Sequence, residues 1–210
     1  MYYVEKLNHL LRRSDMEEIR EKKQNLRIEV AKKLQVMPEE DLIKKSLRLE
    51  RRLYEFANFQ EANIVLLYLD SIHRFLAKRV IEKCLGLKKI VVLPKFGPQP
   101  KKMKLLKLDN PEDDLKVGHD GMLELDETHC KSVPIDRVDI AIIPGVVFDE
   151  KGGRIGQGDG YYDRLLPKLS ITTRKVSLAF EFQIVPQVPM ESHDKHVDII
   201  ITEERTIYKI

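Results

Sequence analysis

Three short, almost unbroken apolar runs set the limits on what this chain can fold into: Asn63-Ile-Val-Leu-Leu-Tyr-Leu69, Lys89-Ile-Val-Val-Leu-Pro94 and Val138-Asp-Ile-Ala-Ile-Ile143. Each has the length of a strand and is rich in strand-forming residues. A strand that is apolar on both sides must be covered on both faces. Between the first two, Ile72 to Leu85 returns to helical spacing, with Gly86 as its stop. Met103 to Leu108 alternates with lysine and reads as an edge strand, while Lys175 to Phe182 and Val197 to Ile201 supply two more. Buried strands alternating with helices imply an α/β fold with an open, mostly parallel sheet flanked by helices. Residues 109–137 read as polar and irregular, with turns at Gly118 and Gly121.

The N-terminal region has a different period. Met16, Ile19, Leu26, Val30 and Leu34 fall along one helical face. Pro38, followed by Glu39, Glu40 and Asp41, marks a second helix that should run to about Phe56. The expected organisation is an N-terminal helical extension over residues 1–20 and a single α/β domain over 21–210, long enough to bury a substantial core. With 37 Lys and Arg against 34 Asp and Glu, the net charge of +3 gives no field suited to nucleic acid or an anionic membrane. No apolar run approaches the ~20 residues of a membrane span, and charges interrupt the first residues before a signal sequence could form. Cys84 and Cys130, without metal-type spacing, read as free thiols in a reducing compartment. A cytoplasmic monomer is expected.

The chemistry is concentrated in Gly153-Arg-Ile-Gly-Gln-Gly-Asp-Gly-Tyr-Tyr-Asp-Arg164, which follows a buried strand and leads into a short helix at Tyr161 that Pro167 should end. Alternating glycines at 156, 158 and 160 let a ligand approach the backbone and permit positive φ. Successive N–H groups in such a turn form an anion nest, to which a helix N-terminus adds, and Arg154 brings a fork of donors. The spacing matches neither the Walker A loop nor the dinucleotide fingerprint. On spacing alone, a structural loop fits as well as a phosphate site.

Longer matches decide more. Pro144-Gly-Val-Val-Phe-Asp149, Gly153-Arg-Ile-Gly156 and Gly158-x-Gly-Tyr-Tyr-Asp-Arg164 resemble the signature of the 5-formyltetrahydrofolate cyclo-ligase family. Lys23-Gln-Asn-Leu-Arg27 resembles its N-terminal KxxLR element, Gly121-Met-Leu-Glu124 its GIxEP, and the segment from His193 to Glu203 its HDxxVDxIxTE. The resemblance spans about residue 20 to residue 205.

What the resemblance implies is an open α/β enzyme that uses ATP and Mg²⁺ to close 5-formyltetrahydrofolate into its 5,10-methenyl form. It implies ATP binding by Lys23, Arg27, Arg154 and Ile155, and by the loop Gly156, Gln157, Gly158, Asp159 and Gly160 with Tyr161 and Tyr162. Leu69 and Tyr161 become substrate contacts, Arg154 and Tyr161 catalytic residues, and Asp163 and Asp198 the metal ligands. His193 and Asp194 read as a structural pair or turn cap, Phe148 and Asp149 as shaping the turn beneath the site, and Arg20 as a solvated residue. This sequence departs from the family at Arg74, with Asp70 before it, where relatives carry an acid that holds the pterin edge. Asp159 and Gln157 are further departures inside the loop. A divergent enzyme using the same ATP site on another acceptor, and a non-enzymatic module on this scaffold, remain alternatives.

Overall fold

The structure, a computed structural model, describes residues 2–69, 74–96, 103–117, 123–126 and 128–209. Asp70, Gly118 and Gly121 lie outside them, and the side chain of Arg74 is likewise not described. The chain opens with α1 (Tyr2–Val36), α2 (Glu39–Glu55) and α3 (Ala57–Glu61), then enters β1 (Ile64–Leu66). Helix α4 (Arg74–Gly86) leads to β2 (Ile90–Phe96) and β3 (Met103–Leu108). Pro38 starts α2 as expected, with three acids in its first turn. The expected boundary at residue 20 falls inside α1, which runs on without a break to Val36.

The stretch that reads as irregular contains a short helix, α5 (Pro111–Asp114), and an antiparallel pair, β4 (Leu115–Val117) with β5 (Leu123–Leu125). Asn110 caps α5 by accepting from the Glu112 N–H. Three-residue strands leave too little periodicity to be seen in sequence. Next come β6 (Ile140–Ile142), β7 (Val147–Asp149), β8 (Arg154–Ile155) and α6 (Tyr161–Leu165), followed by a 3-10 turn through Pro167. The chain closes with β9 (Arg174–Leu178), β10 (Ile184–Val185), β11 (Ile199–Ile201) and β12 (Thr206–Tyr208).

The main sheet has seven strands in the order β12-β11-β9-β6-β1-β2-β3. Its five inner strands are parallel, and the edge strands β3 and β12 are antiparallel to their neighbours. Alternate residues divide the core, as a two-faced sheet demands. Val65, Leu67, Val91, Ile140, Ile142 and Ile201 pack with Leu49, Leu53, Phe59, Val80 and Cys84 of the α2–α4 layer. Leu66, Val92, Ala141, Ile143 and Ile200 pack with Phe148, Leu165, Leu166 and Leu169 on the other side. A small second sheet, β10-β7-β8, stands beside this core. Val30 of α1 docks on it, against Val147, Ile155 and Val188, while Met16 of the expected apolar face remains 43% exposed.

Chain order along the inner strands reverses between β1 and β6, because β1 leads outward to β2 on one side while β6, β9 and β11 build the other. In an open α/β sheet, connections that leave in opposite directions open a crevice at the strands' C-terminal ends. Here those ends are Tyr68 and Leu69 after β1, and Pro144 and Gly145 after β6.

Candidate active site

A cavity of about 700 Å³ occupies that crevice, and Tyr68, Leu69, Pro144 and Gly145 form its floor. The glycine loop closes one side, and α1 lies across it with Arg20, Lys23 and Arg27 turned inward. The spacing of Lys23 and Arg27 puts both on one helix face. The loop begins rigidly, because Arg154 belongs to β8, paired with Phe148 of β7. The turn between β7 and β8 is held by the Asp149 carboxylate, 3% exposed, which accepts the N–H groups of Lys151, Gly153 and Val188. Asp149 therefore shapes the turn beneath the site, as expected. Gly158 has φ +127° and Gly160 +63°, with nothing within 4 Å of a Cβ built on Gly158, so the loop needs glycine and leaves that space open.

Arg154 is buried, its guanidinium donating to Asp163 at 2.9 Å and to the Pro144 carbonyl at 3.0 Å. Its Nε is buried without a hydrogen-bond partner. Asp163 also accepts the Lys195 N–H at 3.1 Å. Arg27 donates to the Gly156 carbonyl at 2.8 Å, and desolvation lowers its pKa against the raising effect of Asp194. Lys23 donates to Glu191 at 2.8 Å and to Asp194 at 2.5 Å. Tyr162 packs against both faces of the core, while the Arg164 guanidinium sits 5.0 Å from the Tyr161 ring centroid. Adjacent helical positions thus send one tyrosine inward and leave the other at the loop. Helix α6 is only five residues long, so its dipole adds less to the nest than a full helix would.

Every site residue singled out from sequence reaches the cavity wall except Asp198. Asp198 precedes β11, at the N-terminal ends of the parallel strands, opposite the crevice. Its carboxylate accepts the Lys175 N–H at 3.0 Å and ties β11 to β9. The expected metal pair Asp163 and Asp198 is thus corrected: Asp198 has a structural partner away from the cavity, where Asp163 is joined instead by Asp159, Glu191 and Asp194. Asp194 does cap its turn, accepting the Glu191 N–H at 2.7 Å, and it also faces Lys23. Glu191 and Arg20 were not expected here. No motif marks either, although Arg20 lies one turn before Lys23 on the same face.

Glu191, His193 and Asp194 bring one ligand atom each within 4.8 Å of one another. Among the described residues, no helix is long and apolar enough to cross a membrane.

Comparison with known proteins agrees with this fold. The 5-formyltetrahydrofolate cyclo-ligase of Mus musculus is 25% identical over 193 residues, covering 87% of this chain and 94% of that protein. The enzyme of the same name from Escherichia coli K12 is 28% identical over 149 residues, covering 69% and 80% respectively. The solved structure of Aquifex aeolicus 5,10-methenyltetrahydrofolate synthetase superposes with a TM-score of 0.77 at 30% identity, covering 89% of this chain and 92% of the other. Residues 19–203, nearly the whole α/β unit, match the family itself, and the chain belongs to the 5-formyltetrahydrofolate cyclo-ligase family.

Proposed function

We propose that this chain closes 5-formyltetrahydrofolate to 5,10-methenyltetrahydrofolate, consuming ATP and releasing ADP and phosphate. The observation that carries this is one cavity with two unlike kinds of lining. Lys23, Arg27 and Arg154 line it together with the glycine loop, and so do Tyr68, Leu69 and Tyr161. A triphosphate suits the first set and a flat heterocycle the second.

In the reaction, the γ-phosphoryl group passes to the formyl oxygen and the bond from its phosphorus to the β–γ bridging oxygen breaks. The N10 nitrogen then adds to the formyl carbon. Loss of phosphate and of the N10 proton leaves the methenyl bridge. The chain's share is positioning and charge compensation. Arg154, fixed on β8, aims its guanidinium at the loop. Tyr161 stands where the loop meets the apolar wall and orients the acceptor.

Magnesium fits the residues present. Carboxylate oxygens dominate the group at Glu191 and Asp194, and hard oxygen donors suit this ion. Glu191 and Asp194 would hold it, with Asp163 on the same cavity wall. When bound, it would offset charge on the triphosphate. In the test, purified protein with ATP, Mg²⁺ and 5-formyltetrahydrofolate is expected to generate the ultraviolet absorbance of the methenyl product. No absorbance change at high enzyme concentration overturns the proposal. ATP binding without folate binding in calorimetry would instead favour a different acceptor.

A further inference from the structure

The charges around the cavity are already matched to one another. Arg20, Lys23, Arg27 and Arg154 face Asp159, Asp163, Glu191 and Asp194, four cations against four carboxylates. Arg154 is held by Asp163, and Lys23 by both Glu191 and Asp194. A triphosphate arriving without metal therefore meets a wall with no net formal charge from these side chains. To reach Lys23 or Arg154 it must displace carboxylates that repel it.

Among the four acids, Glu191 is left incomplete. Its side chain is only 10% exposed. One oxygen takes the Lys23 ammonium, while the other, Oε1, is buried with no hydrogen bond. The Arg20 Nε stands 4.0 Å from Oε1, beyond hydrogen-bond reach. A carboxylate nine-tenths buried with an unmatched oxygen carries a standing desolvation cost, which a further cation relieves. The ligand atoms of His193 and Asp194 stand beside it.

We infer that Glu191 makes nucleotide capture conditional on a divalent cation. Without the cation, Glu191 keeps Lys23 turned away from the phosphates. A cation arriving with the nucleotide takes the carboxylate and releases Lys23 to them. This rests on the ATP reading above and concerns binding alone. By linkage, cation and nucleotide must then raise each other's affinity by the same factor.

The test is calorimetric binding of ATP to the full chain, in EDTA and in Mg²⁺. Wild type is expected to bind roughly 30-fold more tightly with Mg²⁺. Glu191→Gln keeps an oxygen for Lys23 but loses the charge. It should bind ATP in EDTA about tenfold more tightly than wild type and reduce the Mg²⁺ enhancement to about threefold. Glu191→Asp restores the charge and should restore the enhancement, which separates charge from packing. Glu150→Gln removes a carboxylate that pairs with Arg205 outside the cavity lining and should leave the enhancement intact. An unchanged enhancement in Glu191→Gln, its loss in Glu191→Asp, or equal behaviour of Glu191→Gln and Glu150→Gln overturns the role of Glu191 and spares the ATP site. Failure of wild type to bind ATP under either condition overturns the ATP reading and this inference with it.

Discussion

Two lysine–glutamate junctions tie the N-terminal helices to the C-terminal part of the chain, and they are built differently. Lys45 of α2 meets Glu203 at 2.5 Å, across 158 positions. The Glu203 side chain is fully buried, and its second oxygen accepts the Glu181 N–H at 2.8 Å. Lys23 of α1 meets Glu191 at 2.8 Å, across 168 positions, and there the second oxygen has no hydrogen bond. Both acids are withdrawn from water, yet one is saturated and the other is not. Saturation makes a junction part of the scaffold, while an unmet buried acceptor is a position that a ligand can complete.

The sharpest way to break this contrast lies at Arg154, a buried cation of the cavity wall like Lys23. Arg154→Ala is expected to lower turnover by about 10³-fold with far-ultraviolet circular dichroism unchanged. A fall below tenfold would class Arg154 with Lys45 as scaffold. Next in size is the aspartate comparison. Asp194→Asn should reduce turnover about 100-fold, because it alters the acids facing Lys23, whereas Asp198→Asn should stay within about threefold. Equal losses in methenyl formation would return Asp198 to the site.

At the saturated junction the effect moves from rate to stability. Glu203→Gln weakens the bond to Lys45, which is 30% exposed and so partly screened. A loss of about 1 kcal/mol in urea unfolding is expected, with turnover preserved within about twofold. The smallest effect concerns the packed face beneath that junction. Burial pushes the Cys84 thiol up to about 12, so it stays protonated at pH 8 and inert to a disulfide reagent. Cys130 is raised too, by burial and then by Asp114, Asp126 and Asp109, but it is only partly buried. One thiol should therefore react slowly in the native protein, and both in denaturant.

Much of the sheet was readable because its inner strands are apolar on both faces, as in Val65-Leu66-Leu67, a pattern few other structures require. Strands β4, β5, β7, β8, β10 and β12 were missed, being two or three residues long and stabilised by pairing rather than by pattern. At the site, the resemblance brought residues as distant as Lys23 and Asp163 together. Asp198 was misplaced, although its position at the start of a parallel strand already assigns it to the end of the sheet opposite Tyr68 and Pro144. Glu191 belongs to no motif, and its signal is an unmatched oxygen that only three dimensions reveal.

The contact between Lys23 and Asp194 joins residues 171 positions apart. It therefore imposes an order in time on how the protein is made. Helix α1 leaves the ribosome well before Asp194, yet the contact it makes there cannot form until the chain past residue 194 has emerged. In chains that stop short of residue 194 this wall is unfinished, so stabilisation by a ligand of the cavity favours chains that have passed it.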